Sequence, residues 1–383
     1  MLNQFETKQK DLTITKVDSL EAFRGLEADW DSLFKRSQNA TIFQSFVWNC
    51  SFFQREKHAS LPMILLIKEK DELVGIAPLR ISNRIGIPKI EFIGSTFSGS
   101  YLSLLLENDR EDICQMVGNY LAEHFKSAIF YIPYYNASEF SVNVLIASLM
   151  ANSWSDNIWV RNISHYINKT ESFDNFYFTK SSKSRSTIKK IERNLQLSGT
   201  IGFRKFTTND VTEELMTDIK RIFINSWLYE RGVEHVYFGA NTEVLIDMAK
   251  RGHVEIVTIN INQQAIAYII NLIANANSYL YMTAFDRNYE AYSPGRLLFK
   301  YVLEECLNKH YEYDFLFGQG DYKFFWANRT KFILSCVCYK GIKGWALGFV
   351  PYKVMSVVQN NIGLRKYAKI FKRVLNNMKR KNG

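Results

Sequence analysis

Two groups of residues between Asn277 and Trp326 are spaced for chemistry: Ser293-Pro294-Gly295, which opens a periodic apolar stretch, and Asp321-Tyr322-Lys323, an acid, a phenol and an amine in succession. Ser293 is placed to be a helix N-cap, and Pro294 the first helical residue, where a missing N–H costs nothing. Gly295 in the first turn would let a ligand come close to the backbone. The N–H groups of Gly295, Arg296 and Leu297 would then face an anion such as a pyrophosphate, with the positive helix end behind them. The same tripeptide is also a sufficient helix start with no ligand at all.

The elements that must position these residues can be read from composition and period. Asn277 to Phe285 is rich in aromatic and β-branched residues without a helical stripe, and Tyr313 to Phe317 is similar, so both are expected strands. Between them Leu297, Leu298, Tyr301, Val302 and Leu307 form one helical stripe. Strand, tight turn, helix, strand is the local arrangement. Upstream, strands are expected at 254–259, 265–273 and 278–285 as an antiparallel meander, with turn residues at 260–264 and 275–277. A long helix is expected over 210–231 with Trp227 on its inner stripe and Gly232 as C-cap, and a basic helix from Lys183 to Leu195 behind Ser181-Ser182. The first part of the chain shows strands at 12–17, 62–68, 73–81, 88–93, 101–106, 128–132 and 158–167. Its helices fall at 19–36, 46–54, 110–125 and 139–151. The expected class is therefore α/β (α+β), with an N-terminal lobe over 1–170, a second lobe over 171–343 and a tail over 344–383.

With 383 residues, 47% hydrophobic and only 6 Pro, the chain is long enough for two ordinary globular domains. The first residues lack the apolar core of a secretion signal, and no apolar run approaches the roughly 20 residues that a membrane span requires, so a cytoplasmic protein is expected. Cys50, Cys114, Cys306, Cys336 and Cys338 have no zinc spacing and the six histidines form no HExxH pair; buried free thiols and no metal are expected. From Tyr322 to Gly383 there are 14 Lys or Arg and no Asp or Glu, so the net charge of +10 belongs to the tail. There Tyr367, Ile370, Phe371, Val374, Leu375 and Met378 recur at helical spacing among basic residues. Such a helix either docks on the protein or lies on an anionic membrane, at its inner face for a cytoplasmic enzyme.

Taken in order, several motifs resemble the CelD-like acetyltransferases of the GNAT superfamily, relatives of the FemABX peptidyltransferases. They are Phe43-Gln44-Ser45 with Trp48, Leu73-Val74-Gly75-Ile76-Ala77-Pro78-Leu79, the basic helix followed by Gly199, Trp227 with Arg231-Gly232, Asp286, Pro294-Gly295, Tyr313-Asp314 to Gly318, and Asp321-Tyr322-Lys323 leading to Trp326. The resemblance spans Phe43 to Trp326 and implies two GNAT-like lobes side by side with a cleft between them. It also implies an acyltransferase that takes acetyl-CoA or another acyl-CoA and modifies a sugar, or a nucleotide- or lipid-linked sugar, in the surface polysaccharides of a bacterial cell envelope.

Several residue roles follow from the resemblance. The cofactor would lie along Tyr279 to Phe285 and meet Phe285, Ser293, Pro294, Gly295, Arg296 and Leu297. Tyr322 would protonate the departing thiolate; Asp321 would act as a base or orient Lys323, and Lys323 would hold an acceptor carboxylate or phosphate. The competing accounts are a core ring beside Phe324, Phe325 and Trp326 for Tyr322, and a solvated charge pair for the other two. Trp227, Arg231, His235 and Tyr101 are carried as acceptor contacts. Where the family usually has a Tyr-Leu-Asp-like strand, this chain has Ser98-Gly99-Ser100-Tyr101-Leu102-Ser103, without the acid. The rival readings are an aminoacyl-tRNA-dependent peptidyltransferase, which would use Lys180, Lys183, Arg185, Lys189, Lys190 and Arg193 against phosphates, and a non-catalytic assembly factor at the membrane. The basic run lacks interleaved stacking aromatics and no nucleic-acid module is recognisable, so no DNA partner is expected.

Overall fold

The computed structural model describes residues 12–361 except 57–59, 96–100, 170–171, 233–237, 239 and 319. The first elements are β1 (Leu12–Val17), α1 (Leu20–Arg24), α2 (Glu27–Arg36), α3 (Phe46–Glu56), β2 (Leu61–Glu69), β3 (Glu72–Arg84), β4 (Ile87–Phe92) and β5 (Leu105–Leu106). Next come α4 (Glu111–His124), β6 (Ala128–Asn136), α5 (Phe140–Ala151), β7 (Ser155–Ile167), α6 (Phe173–Phe178), α7 (Ser182–Gln196), β8 (Ile201–Thr207), α8 (Glu213–Ile224) and α9 (Ala240–Lys250). The last are β9 (Val254–Ile261), β10 (Gln264–Ala274), β11 (Asn277–Phe285), α10 (Pro294–Asn308), β12 (Glu312–Phe317), α11 (Asp321–Trp326), β13 (Arg329–Lys340), α12 (Gly341–Gly344) and α13 (Val350–Asn360).

Two compact units result, and they are interleaved in sequence. Unit 1 takes the described residues up to Gln38, then Phe52–Asn162 and those from Phe332 on; unit 2 takes Asn39–Ser51 and Ile163–Lys331. In unit 1 the strand order is β1-β2-β3-β4-β6-β13, with β5 on β3. β4 and β6 are parallel and the other pairs antiparallel. Its core sets Ile113, Val117 and Leu121 of α4 and Leu145 and Leu149 of α5 against Leu65, Leu79, Phe92 and Phe130. Unit 2 repeats the plan as β7-β12-β11-β10-β9-β8, with β11 and β12 the parallel pair. There Leu297, Leu298, Val302 and Leu303 of α10 share a core with Val257, Ile259, Ile269 and Phe315, which is what the periodic stripe predicts.

Each unit is thus an antiparallel meander, a helix and a strand parallel to the meander's last. The sixth strand is exchanged. Residues 163–167 of β7, which follow the elements of unit 1 in sequence, lie in unit 2 beside β12, whereas residues 333–340 of β13, which follow those of unit 2, pair with β6 in unit 1.

Three local departures from the sequence reading have physical causes. The helix expected over 210–231 stops at Ile224, because Ser226 Oγ turns back to the Phe223 carbonyl (2.6 Å) and Asn225 Nδ2 donates to Asp286 Oδ1 (2.6 Å). A short 3₁₀ turn, Tyr229–Arg231, then ends at Gly232 in the left-handed region (φ 66). The helix expected over 19–36 breaks at Gly25-Leu26, and the strand expected over 101–106 is reduced to the pairs of Leu105 and Leu106 with β3. The predicted tail helix around Tyr367 lies outside the described residues.

Candidate active site

The parallel pair of unit 2 is short. Its register joins Asn277, Ser278 and Tyr279 of β11 to Glu312, Tyr313 and Asp314 of β12. Beyond these three pairs β11 runs to Phe285 beside β10, and β12 runs to Phe317 beside β7. Both strands carry a bulge where they part. On β11, Ile270 faces Met282 while Asn271 faces Leu280, which leaves Tyr281 as the extra residue. On β12, Phe315 and Leu316 oppose the single residue His165, and Leu316 sits in the left-handed region (φ 52). That conformation is costly for a branched side chain and persists only where the surroundings impose it.

The surroundings that impose it are charged and dry. Asp314, fully buried, accepts from the Leu316 N–H (2.7 Å), from Ser164 Oγ (2.8 Å) and from Lys331 Nζ (2.6 Å). Lys331 also reaches Glu312 (3.3 Å), and these two carboxylates hold its ammonium above the ordinary lysine range against the opposing effect of burial. Lys323, 6% exposed, lies on the other side of the bulge. Its Nζ donates to the carbonyls of Phe315 (2.7 Å), Leu316 (3.1 Å) and Phe317 (3.2 Å). The three donors of an ammonium are thereby used on backbone. The expected hold on an acceptor anion is replaced by a structural one, since Lys323 supplies what a neighbouring strand would otherwise supply. Burial lowers its pKa to about 8, partly offset by Asp314. His165, itself buried, is kept below the usual histidine range by burial and by Lys323.

At the far end of β11 the turn into α10 is close to expectation but differs at Ser293. The residue occupies the N-cap position in a left-handed conformation (φ 49, ψ 51), and its side chain makes no cap hydrogen bond. Its carbonyl instead accepts from the Arg296 N–H (3.1 Å), so that amide is turned into the helix rather than toward a ligand. Pro294 is at the first helical position, as predicted. Around Gly295 there is room: the nearest protein atom to a Cβ built there is Phe285 Cδ1, at 4.0 Å. Leu297 is core through its side chain. The Arg296 guanidinium is exposed and lies 5.4 Å from the centre of the Phe325 ring.

Asp321, Tyr322 and Lys323 open α11, and each has a different environment. Asp321 is exposed. Tyr322 is half-buried and stacks on Phe299 of α10 (4.9 Å, 17°). Phe285, Gly295, Phe299, Phe315 and Tyr322 are thereby brought to one end of the parallel pair, the open end. Trp227 is half-buried behind the end of α8 rather than in the core. The Arg231 side chain and His235 lie outside the described residues. Tyr101 is buried in unit 1.

Residues 182–324 match the model of the acetyltransferase (GNAT) domain. Unit 2 carries a GNAT acyltransferase domain. Its matched range starts at α7 and ends within α11, so it contains the parallel pair, both bulges and Tyr322. The whole chain resembles solved structures over most of its length. One is FemX (9% identity, 84% of this chain and 98% of that one, TM-score 0.58). Another is L-PGS from Bacillus licheniformis (8% identity, 86% and 95%, TM-score 0.51). A third is a conserved protein of unknown function from Bacteroides thetaiotaomicron (11% identity, 86% and 100%, TM-score 0.50). At such identities the likeness is one of fold, and it spans residues of both units. No curated protein matches the sequence at a significant level.

Sequence reasoning missed the Ser164–Asp314–Lys331 network, His165 and the bulge at Tyr281. Asp314 had a signal, an acid inside an aromatic strand, which sequence alone also reads as a strand cap. Ser164 and Lys331 had none, because each sits some distance along the chain from its partner.

Proposed function

We propose that this chain transfers an acyl group, acetyl in the first instance, from acyl-CoA to an amine or hydroxyl of a sugar or a nucleotide- or lipid-linked sugar in polysaccharide assembly. The single observation that carries the donor half is the parting of β11 and β12 after three register pairs, with Gly295 at the mouth. A pantetheine arm is built of amides, and the edge of Leu280–Phe285 offers backbone groups of the kind such an arm can join. The room around Gly295 and the helix start behind it suit a pyrophosphate. Acyl-CoA, when bound, brings the acyl group as a thioester ready for direct transfer. The five cysteines are buried free thiols, and direct transfer asks for no nucleophile from them.

In this reading Tyr322, its ring held by Phe299, gives a proton to the sulfur that leaves. Lys323 keeps the end of β12 in its bulged form, and Asp321 is the exposed acid left to take a proton from the acceptor. The glycan acceptor rests on the likeness of the motifs to CelD-like enzymes. The second reading, aminoacyl-tRNA as donor, has one observation in its favour: Lys183, Lys189, Lys190 and Arg193 are all exposed on α7. Two other basic residues of that run are spent locally. Lys180 donates to the Trp326 carbonyl (2.9 Å), and Arg185 to the carbonyls of Phe178 (3.0 Å) and Lys180 (2.5 Å).

Calorimetric titration with acetyl-CoA is the test. The wild type should bind and Gly295→Glu should bind at least about tenfold more weakly, ~1.4 kcal/mol. Tyr322→Phe should bind acetyl-CoA as the wild type does, keep its Tm, and turn over on the order of 100-fold more slowly. Failure to bind acetyl-CoA at millimolar concentration, with salt-sensitive binding of aminoacyl-tRNA, would transfer the proposal to the second donor. Binding of neither would leave an assembly factor.

A further inference from the structure

The helical run after β13 consists of α12, a π turn over Trp345–Phe349 and α13. Its inward face combines two closely seated glycines with Leu347, Phe349 and Tyr352: Leu347 packs against the core of Ile129, Tyr131 and Val337, and the Phe349 ring lies 5.8 Å from that of Tyr339. A Cβ at Gly344 would stand 2.9 Å from the Ala128 carbonyl oxygen, and one at Gly348 3.2 Å from Tyr339 Cβ, so the helix backbone rests directly on β6 and β13. Tyr352 completes this face with its ring 4.3 Å from that of Tyr131. Five other large apolar residues point away. Ile342 is 86% exposed, Val354 59%, Trp345 and Val357 49% and Val350 45%.

These five recur at steps of three, five, four and three residues. A five-residue step would leave the stripe of a regular α-helix, but here it coincides with the π turn, whose wider winding keeps Trp345 and Val350 in line. The run thus has one apolar face seated on unit 1 and a second, outward row of large apolar residues that packing against unit 1 does not require. Lys343 and Lys353 stand beside the row. From Gly341 to Gly383 there are ten Lys or Arg and no Asp or Glu, eight of the ten in the 22 residues after Asn361.

We propose that this outward row is a docking surface for an anionic lipid bilayer, with the helical run lying in the plane of the interface. An apolar row edged by lysines, in a segment without Asp or Glu, matches a surface that offers acyl chains and negative headgroups together, and a tryptophan is favoured at that depth. A second copy of the chain fits less well, since it would set ten positive charges against ten with no carboxylate in the segment to pair them. No helix among the described residues is long and apolar enough to cross a membrane, so the contact is peripheral. This inference stands independently of the acyl donor.

Co-sedimentation of the full chain with vesicles of phosphatidylcholine, and of phosphatidylcholine with phosphatidylglycerol, decides it. The wild type should pellet with the anionic vesicles at low salt and remain in solution with the neutral ones. Trp345→Glu combined with Val354→Glu, both at exposed positions, should keep the wild-type Tm and lose at least about tenfold in vesicle affinity. Phe371→Glu serves as the comparison outside the described helix. Equal pelleting by the wild type and the double variant, with loss confined to Phe371→Glu, would assign binding to the last residues and overturn the proposal. So would a wild type that stays in solution with both vesicles. A dimer seen by light scattering that the double variant abolishes would make the row a self-association surface instead.

Discussion

Lys323 shows how a charged residue in an apolar setting is kept for what it does to the backbone. Its ammonium closes the carbonyls of Phe315, Leu316 and Phe317, which a bulged strand end would otherwise leave unpaired in the interior. Its folded-state pKa is about 8, below the ordinary lysine value, so between about pH 8 and 10.5 the unfolded chain binds the proton that the folded chain has lost. Below that window the cost of keeping the charge dry is fully present, and through it stability rises with pH. The difference in Tm between wild type and Lys323→Met should therefore move in favour of the wild type from pH 7.5 to 10. A flat difference would mean that the carbonyls keep the ammonium charged throughout. The residue types at the site were readable in the sequence, but their burial was not. Pro294 and Gly295 act through their own backbone and were placed correctly. Ser293 and Lys323 act through contacts that tertiary structure decides, and each took a role different from the expected one.

At the scale of the elements, the opening between β11 and β12 depends on two bulges, and the one on β12 is fastened by Asp314. Removing that carboxylate takes the nearer of two acids from the Lys331 ammonium and frees the Leu316 N–H, so Asp314→Ala should cost about 3 to 5 kcal/mol in urea unfolding. Pairing Asp314→Leu with Lys331→Met should restore much of that stability, because an apolar pair replaces a buried ion pair. If the bulge shapes the donor site, the restored double variant should still bind acetyl-CoA more weakly than the wild type. Unchanged affinity would separate the fold of β12 from the site. The strands and α10 were legible, because period and composition agree over each of them. A bulge adds one residue to a strand that still looks like a strand, so it leaves no mark in an aromatic run. The stop of α8 at Ile224 was hidden for a similar reason, since apolar residues continue past it and the signal to stop is a side-chain bond to Asp286.

At the scale of the whole chain, the two lobes were legible as a repeated theme, but the exchange of their sixth strands was not, because hydrophobic pattern names a strand without naming its neighbour. A consequence can be tested by truncation after Lys331, which leaves unit 2 whole and takes from β6 the strand it pairs with over 333–340. Such a chain should lose the near-ultraviolet dichroism of unit 1 and become open to proteases across residues 128–136. Protection equal to that of the wild type would show that β13 is dispensable.

The same exchange sets a clock on biosynthesis. Ser335 Oγ donates to the Pro133 carbonyl across 202 residues of chain. At ordinary rates of translation those residues take roughly 10 to 40 s to appear, so β6 is made long before its neighbour exists. For that interval the first unit carries an unpaired strand edge, open to pairing with another nascent chain or to capture by a chaperone. Its sheet cannot close while its own sequence is emerging. It closes only after the acyltransferase unit has been synthesised, so the first half of the chain is the last to finish folding.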